Sequence, residues 1–168
     1  VLAVFSQPYM ISRLLVESNR SSGHPQLFSE FTAHLPESEK EAILDEFYLP
    51  YRDYIEGRIG NSISEGKEVL HISVHTFTPE LNGDVRNADI GLLFDPTRMA
   101  EADFCKDFQK RLFQQDKELH VRFNYPYLGV DDGFTTSLQK IFPQKNLGIE
   151  WNLNKKLGKQ NLMKTPFK

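Results

Sequence analysis

The chain has one cysteine, Cys105, in 168 residues, which excludes an internal disulfide and any thiolate cluster for a metal. That usage fits a reducing cytoplasm, taken here as the expected location. No apolar run approaches the roughly 20 residues needed to span a bilayer. The opening Val1-Leu-Ala-Val-Phe lacks the basic flank and the length of a signal peptide. An initiator methionine is also missing, so the chain is expected to begin partway into a longer gene product. Positive charge is not in surplus: 20 Lys and Arg against 23 Asp and Glu give a net charge of -3. Without a basic field, nucleic acid and anionic membrane are poor partners and a small molecule is the better expectation. Neither an internal repeat nor a low-complexity segment is present; oligomeric state is not legible.

What remains is an ordinary soluble composition, 39% hydrophobic and 26% charged, in a chain the size of a single domain. Its most informative stretch is Val69-Leu-His-Ile-Ser-Val-His75-Thr-Phe-Thr-Pro79. A β-branched apolar run of this kind predicts a buried strand that delivers His75 to its carboxyl end, where ligands of open α/β sheets gather. A strand-end imidazole suits a zinc ligand. The alternative is a histidine bonded to a loop carbonyl. His71, on the same face but deeper, reads as a core histidine or as support for the strand end.

Before this strand, Ser12 to Glu17 predicts a short strand feeding the turn-rich loop Ser18 to Pro25. There Arg20 offers a planar fork for a carboxylate and Asn19 an amide donor; the alternative is that Arg20 pairs with Glu17 or another acid. Pro36 opens a helix whose Ile43, Leu44 and Phe47 face inward, with the acids from Glu37 to Glu41 on a solvated face. Pro50 restarts a second helix along Tyr51, Ile55, Ile59 and Ile63, and Gly66 closes it.

After His75 a polar connection, Thr76 to Asp89, leads into a strand at Ile90–Phe94 and suggests a lid or specificity element carrying Arg86, a second anion contact. A helix from Met99 to Phe113 follows, with Phe104, Phe108 and Leu112 on one stripe and Cys105 beside it. Leu119–Phe123 is a further short strand, and Asn124 to Gly133 a second turn-rich loop that supplies aromatic walls and a carboxylate to a helix at Thr135–Phe142. Asn146–Asn154 is a strand with Glu150 inside an apolar stretch, where a carboxylate is costly unless paired or functional. From Lys155 a short helix and a basic tail are expected. The alternation of strands and helices predicts a three-layer α/β/α domain over residues 1–168, with a mixed, largely parallel sheet.

Five motifs in order, Ser12-Arg-Leu-Leu-Val-Glu-Ser-Asn-Arg20, Val74-His-Thr-Phe, Val85-Arg-Asn-Ala-Asp-Ile-Gly-Leu-Leu, Asn124-Tyr-Pro-Tyr127 with Asp132-Gly133, and Leu147-Gly-Ile-Glu150, resemble the N-formylglutamate amidohydrolase family. The resemblance covers about Ser12 to Asn154. It implies a phosphorylase/hydrolase-like fold shared with zinc carboxypeptidases and aspartoacylases, and zinc-dependent hydrolysis of the amide of an N-acyl amino acid such as N-formylglutamate. It further implies that Asn19 and Arg20 clamp a substrate carboxylate, that His75 is a zinc ligand and that Glu150 is the general base. In that wider group two more zinc ligands, a histidine and an acid, lie near the amino end. Here the eleven residues before Ser12 contain no His, Asp, Glu or Cys. The resemblance therefore implies either a longer protein whose amino-terminal segment is not in this chain, or a shortened relative that binds carboxylates without metal.

Overall fold

The apolar periodicities resolve into two compact units in the computed structural model, which describes residues 5–157. The first unit is the chain up to Gly66 together with Asp132–Phe134; the second is Lys67–Asp131 and the chain from Thr135 onward.

The first unit is helical. Helix α1, Glu37–Ile43, starts after Pro36 with Glu37 and Glu39 in its first turn, where acids favour the helix dipole. It runs through one π-helical turn, Leu44–Tyr48, into α2, Leu49–Ser64. The expected restart at Pro50 is thus a continuous helix with a widened turn. Proline cannot donate to the carbonyl four residues back and its ring crowds that carbonyl, and the π turn supplies the slack. Gly66, at φ 81°, ends α2 in the left-handed conformation that a helix terminus demands of glycine. Ile55 and Ile59 are buried as their spacing predicts. Val16, Leu27 and Tyr48 form a second buried group, packed by Phe28, Ile43, Leu44 and Phe47.

The strand expected at Ser12–Glu17 is not formed. Leu15 N–H donates to Ser12 O, and the carbonyls of Leu14 and Leu15 accept from the Ser29 and Thr32 hydroxyls. These bonds satisfy the backbone without a neighbouring strand, and Val16 is buried from within a turn.

The second unit holds a four-stranded sheet in the order β1-β6-β4-β5: β1 Val69–Phe77, β6 Asn146–Asn154, β4 Ile90–Leu93 and β5 Val121–Phe123. The β1–β6 and β4–β5 pairs are parallel and β4–β6 is antiparallel. On one face α3, Met99–Gln115, lays Phe108 against Trp151 with ring centroids 4.5 Å apart. On the other lies α4, Phe134–Ile141: a Cβ at Gly148 would come within 2.7 Å of the Thr135 methyl. The result is the three-layer α/β/α arrangement with a mixed, largely parallel sheet. Strand β1 is at the sheet margin, with Leu70 and Val74 exposed, rather than the buried strand its composition predicts. The connection after β1 holds a small hairpin, β2 Glu80–Leu81 and β3 Asp84–Val85, turning at Asn82-Gly83 with both residues at positive φ. Residues 155–157 are helical, with Lys156 Nζ 2.9 Å from Asp89. The rest of the expected tail, like the first four residues, lies outside the described residues.

One buried carboxylate ties the second unit together. Glu101 has no exposed surface. It accepts from Arg98 Nε (2.6 Å), Gln139 Nε2 (3.0 Å) and the amides of Gly148 (3.0 Å) and Asp95 (3.3 Å). Arg98 also donates to Asn146 O and Pro143 O, so the start of β6 is fastened from both partners. Glu101→Ala would leave the half-buried Arg98 guanidinium without its carboxylate and the amides of Asp95 and Gly148 without that acceptor. We expect it to lower the unfolding free energy by about 3–5 kcal/mol in urea denaturation, with Glu101→Gln losing less; an unchanged midpoint would contradict the role.

Candidate functional site

The β1–β6 register decides which side chains of the second unit share a face. Ser73 lies opposite Glu150, and His75 opposite Asn152. Paired positions on adjacent strands point to the same side and alternate along the strand. His71, Ser73, His75, Glu150 and Asn152 therefore occupy one face, and His75 and Glu150 sit on diagonal positions about 8 Å apart by strand geometry. His75 Nε2 lies 2.8 Å from Ser73 Oγ, so its partner is a hydroxyl two residues back and not a loop carbonyl. Gly91 continues this row opposite Asn152, and a Cβ there would fall 1.9 Å from Tyr125 O, so only glycine lets the following loop lie against the sheet.

That loop is fastened by Asn124, whose Oδ1 accepts from the amides of Phe94 (3.0 Å) and Gly129 (3.1 Å). It carries Tyr127 to Arg86. The Arg86 guanidinium is 5.2 Å from the Tyr127 ring centroid, and its Nη1 donates to the phenol oxygen at 3.2 Å. Arg86 is 9% exposed and has no ion pair among the described residues. The expected second anion contact is thus a buried cation held by an aromatic ring.

Asn19 and Arg20 belong to the first unit, in a turn closed by Arg20 N–H to Glu17 O. Asn19 Oδ1 accepts from the Phe134 amide (2.9 Å), and Arg20 Nη1 donates to Asp132 O (2.6 Å). Ser21 gives both its hydroxyl and its amide to the Asp132 carboxylate. Burial alone would raise the Asp132 carboxyl. The Ser21 hydrogen bonds, with the charges of His24 and Arg20, outweigh it and hold the group below the ordinary aspartate value. Glu17 pairs with Arg13 rather than Arg20. Arg20 keeps Nε and Nη2 without a hydrogen-bond partner among the described residues, the edge with which a guanidinium grips a carboxylate.

A catalytic zinc site takes three protein ligands. Among the described residues no group of three His, Cys, Asp or Glu side chains is placed to hold a metal, so the donors around His75 fall short of that requirement. Cys105 offers nothing either: it lies in the core, where burial, and then the Glu101 charge, push its thiol up to about 12. Among the described residues no helix is long and apolar enough to cross a membrane. Sequence reasoning did not assign Tyr127, Asp132, Tyr48 or Arg52 to particular partners, because each contact joins residues far apart in the chain.

Comparison with known proteins follows the same lines. The sequence model of the N-formylglutamate amidohydrolase family matches residues 8–152. A crystal structure of a gene product from Agrobacterium tumefaciens superposes with a TM-score of 0.70 at 25% identity, over 86% of this chain. The chain spans 58% of that protein's own chain. No curated protein matches it.

The face carrying His75 makes a prediction about pH. His71 has a ring Nδ1 without accessible surface, and burial, then the neighbouring His75, push its pKa from 6.5 down to about 4. Between those values the unfolded chain binds a proton that the folded protein does not. Stability is therefore complete above about pH 6.5 and declines as pH falls toward 4, by up to about 3 kcal/mol. Urea unfolding between pH 7 and 4 should show this decline in the wild type and a shallower one in His71→Gln; equal slopes would contradict the assignment.

Proposed function

The chain belongs to the N-formylglutamate amidohydrolase family, and on that premise we propose that it hydrolyses the amide of an N-acyl amino acid, with N-formylglutamate as the substrate. The observation that carries the reading is the β1–β6 register, which sets the His75 imidazole and the Glu150 carboxylate on one face.

In this reading Arg20 and Asn19 bind one substrate carboxylate, and Arg86 neutralises a second or faces the developing oxyanion. Glu150 is the general base. It takes a proton from water as the water oxygen bonds the formyl carbon, and delivers it to the leaving nitrogen as the C–N bond breaks. The products are formate and the free amino acid. His75 is proposed as one zinc ligand; the described residues do not complete the set, and the steps above use only the chain's own groups. That shortfall favours a second reading, a carboxylate-binding module that holds the ligand without turning it over.

Formate release from N-formyl-L-glutamate separates the two. Hydrolysis predicts turnover that EDTA abolishes and zinc restores, and a loss in kcat of about 10²–10⁴-fold in Glu150→Gln with KM little changed. Binding alone predicts no formate and an affinity indifferent to both EDTA and Glu150→Gln. Wild-type kcat in a folded Glu150→Gln protein would remove Glu150 as the base.

A further inference from the structure

The residue in the first unit with the most unusual surroundings is Arg52, on α2. It is 8% exposed, yet no carboxylate forms an ion pair with it among the described residues. Glu56, one turn along α2, feels its charge without reaching it. A buried guanidinium is costly unless other groups compensate it. Here the compensation is specific. Arg52 Nη1 donates to Ser18 O (3.2 Å) and Arg20 O (3.3 Å), the two carbonyls that flank Asn19. The guanidinium lies 4.0 Å from the centroid of Phe134 and 5.1 Å from that of Tyr48. Tyr48 in turn donates its hydroxyl to Arg20 O (2.7 Å), and the Phe134 amide donates to Asn19 Oδ1.

Peptide planarity carries the argument one step further. In a trans peptide the N–H points opposite to the C=O, so carbonyls of Ser18 and Arg20 turned toward Arg52 turn the amides of Asn19 and Ser21 away from it. Those amides meet Glu17 Oε1 (3.4 Å) and Asp132 Oδ2 (3.0 Å). Arg52 on one side and two carboxylates on the other thus fix the orientation of the Ser18–Asn19 and Arg20–Ser21 peptides, which bracket the Asn19–Arg20 pair.

We propose that Arg52 is the positioning residue of the Asn19–Arg20 clamp: without touching the ligand, it orients the turn that presents Arg20 and thereby sets the preference for a carboxylate. This rests on the reading that Asn19 and Arg20 bind a substrate carboxylate. Lysine cannot replace the arginine, because an ammonium lacks the flat face that lies against Phe134 while one nitrogen serves both carbonyls.

The test measures binding of L-glutamate, L-glutamine and L-isoglutamine to the full chain by calorimetry, in wild type, Arg52→Lys, Arg52→Met and Arg20→Met, with near-ultraviolet circular dichroism as the check on folding. The two amides each replace one carboxylate by a neutral group of the same shape. We expect the preference for glutamate over at least one amide to fall about tenfold in Arg52→Lys and further in Arg52→Met, with affinity for that amide within about twofold of wild type. An equal loss for all three ligands, or loss of the native fold in both Arg52 variants, would assign Arg52 to stability alone and overturn the proposal. If Arg20→Met loses the preference while folded Arg52 variants keep it, the clamp stands and the role of Arg52 falls. If the wild type shows no preference, or Arg20→Met retains it, the clamp reading itself fails and Arg52 with it.

Discussion

The hydrogen-bonded carboxylate of Glu101 is the constraint on which the second unit depends. It joins the amino-terminal turn of α3, the Gln139 side chain of α4 and the amide of Gly148, two residues before Glu150. With Arg98 on the Asn146 carbonyl, it fixes where β6 begins. Strand β6 lies between β1 and β4, so its register sets what stands opposite His75 on one side and Gly91 on the other. A one-residue slip would send every side chain of β6 to the opposite face. The juxtaposition of His75 and Glu150 therefore depends on a buried carboxylate and its half-buried arginine several residues away.

Three buried or half-buried arginines, Arg20, Arg52 and Arg86, have no ion pair among the described residues, unlike Arg98. Arg20 rests on a carbonyl, Arg52 on two carbonyls and two aromatic rings, and Arg86 on a tyrosine. Carbonyl dipoles and ring faces stabilise a guanidinium without cancelling its charge. Cations held in this way retain their attraction for an anion.

Much of this was legible in the sequence, and the failures have physical causes. Strands β1 and β6 and helix α3 follow from strong local periodicity, and the α/β/α layering follows from their alternation. The marginal position of β1 does not, because sheet order is set by partners far away in the chain and Val69–Phe77 reads as equally apolar in either place. Leu14-Leu15-Val16 has the composition of a strand, but hydroxyls from Ser29 and Thr32 take its carbonyls. Asn82-Gly83 carries a hairpin signal that the polarity around it obscures. At the site, His75 and Glu150 announce themselves as polar groups in apolar runs. The surroundings of Asn19 and Arg20 do not, since Asp132, Phe134 and Arg52 meet them only through tertiary contacts.

The central claim is that His75 and Glu150 serve one reaction, and a double-substitution comparison tests it directly. The measurement is kcat/KM for formate release from N-formyl-L-glutamate in wild type, His75→Ala, Glu150→Gln and the double variant, all confirmed to be folded. Groups acting on the same transition state are strongly non-additive, so the account predicts that the double variant loses little more than the worse of the two single variants. A double variant that loses the full product of the two single losses would contradict it, as would a wild-type protein that releases no formate.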